Sequence, residues 1–241
     1  MILTSINDHI LSVIGITMYL IIKGNTMTFT QELRQQRWDD HRYYHQNRIN
    51  QFLHLLSAIC FLTSYILIFS NPVLAVMVGW LLAMVLRQSG HFFFEPLVYD
   101  DVNQASQEYK ESVKVGYNLH RKIVLISIWL ITPFVLVFDN TFFGLLSPAA
   151  NTSGYLDNIA YIWLMIGVGA IVFRMIQLIF IKGFQASLVW GSKILTDPFH
   201  DVFIYYKSPY YLLKGEMYDE MTEWYESSML SPETKAKALY P

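Results

Sequence analysis

Four apolar runs, each long enough to cross a bilayer, limit what this chain can become. They are 52–69 (FLHLLSAICFLTSYILIF), a run from Asn71-Pro72 through VLAVMVGWLLAMVL to about Leu86, 123–138 (IVLISIWLITPFVLVF) and 159–181 (IAYIWLMIGVGAIVFRMIQLIFI). A membrane helix needs about 20 mostly apolar residues. Within hydrocarbon its backbone polar groups must find their partners inside the protein. Composition agrees: 54% of the 241 residues are hydrophobic and 15% charged, against about a quarter charged in soluble domains. The expected fold is therefore all-α, a polytopic membrane helix bundle of four core transmembrane helices. A possible N-terminal fifth and amphipathic cytoplasmic helices accompany them.

Three regions follow. Residues 1–26 hold a short apolar run, 10–22 (ILSVIGITMYLII), that ends at Lys23. It reads as an extra helix, a signal-like segment or the product of an upstream start codon, with Met27 as an alternative start. No A-x-A cleavage pattern follows it. Residues 27–214 form the membrane-embedded helical domain. Residues 215–241 are polar and acidic, a tail with one short helix. Pro133 is expected to bend the third span, and Gly167 and Gly169 to permit close helix contact in the fourth.

Charge sets the expected orientation. Lys23, Arg34, Arg37, Arg42 and Arg48 precede the first span, and Arg87, Lys110, Lys114, Arg121 and Lys122 fall between the second and third. Six more Lys follow Ile181, and the segments 70–72 and 139–158 have no Lys or Arg. By the positive-inside rule, 24–51, 87–122 and the C-terminal region are cytoplasmic, in a bacterial inner membrane or the endoplasmic reticulum. Net charge is −2, which gives no reason to expect nucleic acid as a partner. The lone Cys60 excludes an intrachain disulfide and any CxxC site.

Histidines carry the functional signal. His9 lies in the N-terminal piece; His41, His45, His54, His91, His120 and His200 all fall at the expected cytoplasmic face and come from four segments. A metal is the expected common partner. His41 and His45 are four apart, as are His91 and Glu95 in GHFFFEP, so each pair shares a helix face. Pro96 ends that helix. His45 and His54 are nine apart, two and a half turns, and point oppositely on a continuous helix. They converge only if the helix breaks near QNRIN or if His45 belongs to a separate helix. Asn50, four before His54, could orient it. Taken singly, His41, His120 and His200 also read as interfacial residues. Arg87 reads as a snorkelling helix-end cation. Asp100 and Asp101 read as solvated acids or extra oxygen ligands. In TDPFHD, Pro198 suggests a helix start capped by Asp197, followed by Phe199, Phe203, Tyr205, Tyr206, Tyr210 and Tyr211 at the headgroup level.

The boxes YHQNRINQFLH and, some 40 residues later, GHFFFE resemble those of the 2-hydroxy-fatty-acid dioxygenases of the yeast phytosphingosine-degradation type. The positions that match are His45, Asn47 or Asn50, His54, Gly90, His91 and Glu95. The likeness covers about residues 41–95. EPLVYDDVN lacks the Pro-Ala-bearing stretch of that family. The resemblance implies a helical, membrane-embedded, Fe2+-dependent enzyme that uses molecular oxygen to shorten a 2-hydroxy fatty acid by one carbon, the α-oxidation reaction. On that basis His45, His54 and His91 are the expected metal ligands, with Glu95 as fourth ligand or catalytic base and His41 and His200 as further candidates. Mixed histidine and carboxylate ligation suits iron. Tyr43, Tyr44 or Arg48 would meet the carboxylate of the fatty acyl substrate. Two rivals stand. HRYYH fits the HxxxH box of di-iron hydroxylases and desaturases, although HxxHH occurs nowhere. The other is a non-catalytic lipid-binding or adaptor protein whose histidines are interfacial.

Overall fold

The structure, a computed structural model, describes residues 27–96 and 99–219; the 10–22 run and residues 220–241 of the tail lie outside them. Among the described residues every regular element is helical. They run α1 (Phe29–Tyr44), α2 (Arg48–Leu67), α3 (Pro72–Met77), a π-helical stretch Val78–Met84, α4 (Val85–Phe93), α5 (Gln107–Val113), α6 (Leu119–Phe138), α7 (Thr152–Lys182), α8 (Phe184–Tyr205) and α9 (Ser208–Leu213). Extended backbone pairs only at isolated bridges, Asn47 with Tyr218 and Asp100 with Ala105.

Four helical segments are long and apolar enough to cross a membrane: Arg48–Leu67, Pro72–Phe93, Leu119–Phe138 and Thr152–Lys182. They leave large apolar side chains such as Ile59, Ile66, Phe134, Phe138 and Phe180 exposed. So much exposed apolar surface is a feature of chains that sit in lipid. The second span, with the π-helical stretch Val78–Met84 in its middle, outruns the expected end at Leu86 and continues to Phe93. The third starts at Leu119, with the Asn118 side chain accepting from Arg121 N at 3.1 Å. The fourth starts at Thr152, capped by Asn151, which accepts from Gly154 N at 2.9 Å. Polar caps extend these helices past their apolar runs, which is why hydropathy alone placed the ends too far inward.

Pro133 sits inside α6 as expected. A proline removes one N–H, freeing the carbonyl four residues back, here that of Trp129. The Trp163 indole N–H donates to that carbonyl at 3.1 Å, and the Trp80 indole N–H donates to Trp163 O at 3.0 Å. The three indoles pack together in a core with Val76, Leu136, Ile159 and Ile162. Trp80 also covers Gly167, where a Cβ would stand 3.3 Å from the indole, whereas Gly169 faces nothing within 4 Å. Arg174, charged within an apolar run, donates to Val115 O at 2.7 Å and Gly116 O at 3.1 Å.

Pro198 does not start a helix. It lies inside α8, which the chain enters fifteen residues earlier through Gly183 at φ 96. Asp197 is accordingly no cap. Its buried carboxylate takes Lys193 Nζ at 2.6 Å and Arg37 Nε at 3.2 Å. α8 packs along α2 and α7, with its start held by the Ser187 hydroxyl donating to Met175 O at 2.7 Å.

Candidate metal centre

The break anticipated near QNRIN is present. α1 ends at Tyr44, His45 is its C-cap, and Asn47 opens α2 by accepting from Ile49 N at 2.8 Å. The reversal lets His45 turn back over the start of α2. His54 lies about two turns into α2 and His91 in the last turn of α4. Gly90 brings those helices together. A Cβ there would stand 2.2 Å from Asn50 Oδ1 and 3.3 Å from His54 Cδ2, so only glycine permits this approach.

The three rings meet. Their centroids lie 4.1 Å (His45–His54), 4.9 Å (His54–His91) and 5.3 Å (His45–His91) apart. One ligand nitrogen from each lies within 4.8 Å of the other two. His45 Nε2 and both ring nitrogens of His54 are buried without a hydrogen-bond partner among the described residues. Leaving a buried polar atom unmade costs about 1–3 kcal/mol, and three such atoms in one place are what a shared cation would relieve. The residues therefore fit a metal. Three neutral nitrogen donors suit first-row ions such as Fe2+ or Zn2+.

A layer of polar groups holds these rings. His91 Nδ1 lies 2.8 Å from Glu95 Oε2, and Glu95 Oε1 accepts from Lys114 Nζ at 3.0 Å. With its Nδ1–H donating to that carboxylate, His91 would keep Nε2 for a metal, the usual support of a metal-bound histidine. His54 Nδ1 stands 3.7 Å from Asp201 Oδ2, which accepts from Arg87 Nη1 at 2.8 Å. Tyr205 closes the far side, its ring 5.9 Å from that of His45 and 6.3 Å from that of His54. Burial, reinforced by repulsion from His54, pushes His45 well below the ordinary imidazole range. It is thus neutral, the form that binds metal. Burial also carries His41 and His200 down to about 4.

The remaining candidates are placed elsewhere. Glu95 stands behind His91 and is not among the converging donors. His41 is outside the group; its Nδ1 lies 3.1 Å from the Tyr205 hydroxyl and its Nε2 3.8 Å from Asp219. His200 is outside it too, and His120 is exposed. Arg48 does not await a substrate: it pairs with Asp219 at 2.8 Å and lies over the Tyr211 ring at 4.3 Å. Tyr44 is buried, its hydroxyl donating to Lys110 O at 2.6 Å and its ring under Lys114 Nζ. Asn50 does not orient His54; its amide donates to Tyr44 O at 2.7 Å and so ties the helix break. Asp100 closes a turn by accepting from Val102 N and Asn103 N. Arg87 is paired rather than snorkelling, because Asp201 and Asp197 face it from α8. Tyr205 is 1% exposed, not interfacial. Sequence reading missed Tyr205 and Lys114 around this site. Only Tyr205 carried a signal, its four-residue spacing from Asp201.

No family model, curated protein or solved structure matches this chain.

Proposed function

We propose that this protein is an integral membrane, Fe2+-dependent dioxygenase that shortens a 2-hydroxy fatty acid by one carbon. The observation that carries the reading is the convergence of His45, His54 and His91, from three helical segments, with orphaned nitrogens at one end of an apolar bundle. The resemblance of YHQNRINQFLH and GHFFFE to the 2-hydroxy-fatty-acid dioxygenases supplies the reaction. A 2-hydroxy acid and O2 give the acid one carbon shorter, CO2 and water. The C1–C2 bond breaks, carbon 1 leaves as CO2, and carbon 2 becomes the new carboxyl. The substrate loses four electrons and O2 gains four.

Iron held by the three imidazoles would supply a site where O2 is reduced next to the 2-hydroxy acid. The chain's own residues do the rest. Glu95 holds the Nδ1 proton of His91 and is itself held by Lys114. Buried Tyr205 covers the rings of His45 and His54 and keeps bulk water from them. The exposed apolar flanks of the spans would take the acyl chain, with the iron on the cytoplasmic side of a bacterial inner membrane or the endoplasmic reticulum. A group of three histidines favours one metal over two.

The test is detergent-purified protein, loaded with Fe2+ and given 2-hydroxyhexadecanoate and O2. Pentadecanoate and CO2 should appear in equal amounts, and His54→Ala should abolish both. Iron-loaded wild type that forms no shortened acid overturns the assignment.

A further inference from the structure

The break that carries His45 is held from a distant part of the chain. Residues 217–219 cross it antiparallel, with Tyr218 bridging Asn47. Arg48 N donates to Met217 O at 2.9 Å, and Asp219 N donates to Gln46 O at 2.8 Å. The Asp219 carboxylate then reaches inward. It accepts from Arg48 Nη1 at 2.8 Å and from Gln51 Nε2 at 2.8 Å. That same Gln51 nitrogen donates at 2.8 Å to the carbonyl of His45. Gln51 is fully buried. Its Oε1 accepts from Ser208 Oγ at 2.8 Å and from Arg48 Nη1 at 3.0 Å, so its amide cannot turn without losing bonds on both sides. A second path runs through His41. Its Nε2 lies 3.8 Å from Asp219 and its Nδ1 lies 3.1 Å from the hydroxyl of Tyr205, whose ring flanks His45 and His54.

We propose that Asp219, acting through Gln51, is a positioning residue for His45, an inference that rests on the metal-dependent reading above. His54 and His91 ride on helices, and the helix ladder sets where their rings stand. His45 is outside the ladder. As the C-cap of α1 it has a carbonyl with no helical partner, and Gln51 takes that carbonyl. Asp219 fixes Gln51, and the main-chain bonds of residues 217–219 fix Asp219. Without this clamp a buried carbonyl is left unpaired, which folded chains avoid, and the ring of His45 is released from the other two. The ligand set is therefore complete only with the 217–219 strap in place. Arg48, expected from the sequence to meet a substrate, serves the same strap.

The experiment loads full-length protein with Cu2+ in place of iron and counts the nitrogen ligands by electron paramagnetic resonance. Wild type should show three. Asp219→Ala should show two, as His45→Ala does, and should bind Cu2+ about 10–100-fold more weakly than wild type. In a His45→Ala background the same substitution should change the affinity no further. Asp219→Asn keeps an acceptor for Gln51 and should retain the third nitrogen. In metal-free protein, diethyl pyrocarbonate should modify His45 faster in Asp219→Ala than in wild type, and His200 at an unchanged rate. That contrast separates release of one ring from loosening of the whole bundle. Gln51→Met, close in volume, should reproduce each result and decides the matter where Asp219→Ala does not fold. Three nitrogens with wild-type affinity in Asp219→Ala, an equal loss in the His45→Ala background, or a His45 no more reactive than before overturns the proposal and leaves the oxygenase untouched. Wild type that holds no Cu2+, while Asp219→Ala still releases His45, leaves the clamp standing and refutes the metal reading alone.

Discussion

Gly90→Ala tests how the site is assembled. The added methyl would stand 2.2 Å from Asn50 Oδ1, where ordinary contact begins at 3.4 Å. Asn50 is fully buried and cannot swing away without breaking its 2.7 Å bond to Tyr44 O. Either α4 shifts outward by roughly an ångström, an overpacking cost of about 1–3 kcal/mol, or that bond goes, at about 0.5–1.5 kcal/mol net. Both routes disturb the centre, because the methyl also crowds His54 and the bond ties the break that carries His45. A loss of about 1–3 kcal/mol corresponds, at about 2–4 °C per kcal/mol for a chain of this size, to an apparent Tm roughly 2–12 °C lower. Thermal unfolding in detergent, scored with iron content, reads both effects. Gly169→Ala is the control, since nothing lies within 4 Å of its Cβ and the usual helix gain of about 0.5–1 kcal/mol should appear. A Gly90→Ala protein as stable and as iron-rich as wild type refutes the close-approach argument.

Glu95→Gln removes the charge that holds His91 Nδ1 and Lys114, and iron affinity should fall about 10–100-fold by equilibrium dialysis. Trp163→Phe strips the donor from the carbonyl that Pro133 frees and should cost about 1–3 kcal/mol in thermal unfolding, less in a Pro133→Ala background. Stability should also fall with acid. His200 titrates near 4 when folded and 6.5 when unfolded, so between those values the unfolded chain takes up the proton that the folded chain refuses. Tm should drop as pH goes from 6.5 to 4, and His200→Gln should flatten the slope.

Much of the bundle was legible because hydrocarbon admits few solutions. Four long apolar runs became four helices, and Pro133 was absorbed by a neighbouring indole because an unpaired carbonyl there has no water to turn to. The residues that became the candidate donors could be picked out because depth makes them conspicuous. His54 sits within an apolar run, and the nine-residue gap to His45 demanded a break. What stayed hidden depended on contacts between distant segments. Nothing local tells that Asp219 reaches Arg48, or that α8 brings Asp201 to Arg87 and Tyr205 to the rings. Pro198 misled because its cost inside a helix is about 3 kcal/mol in water, and tertiary packing of α8 outweighs it. Gly90 shows the reverse: its matched position in GHFFFE had no stated reason until Asn50 appeared against it.

The account stands or falls on where a metal is held. Iron should be measured per chain in wild type and in five single alanine variants, at His45, His54, His91, His41 and His200. One iron per chain is predicted for wild type, His41→Ala and His200→Ala, with little or none left after loss of His45, His54 or His91. Full occupancy after removing any of those three, or equal loss from all five, would contradict it.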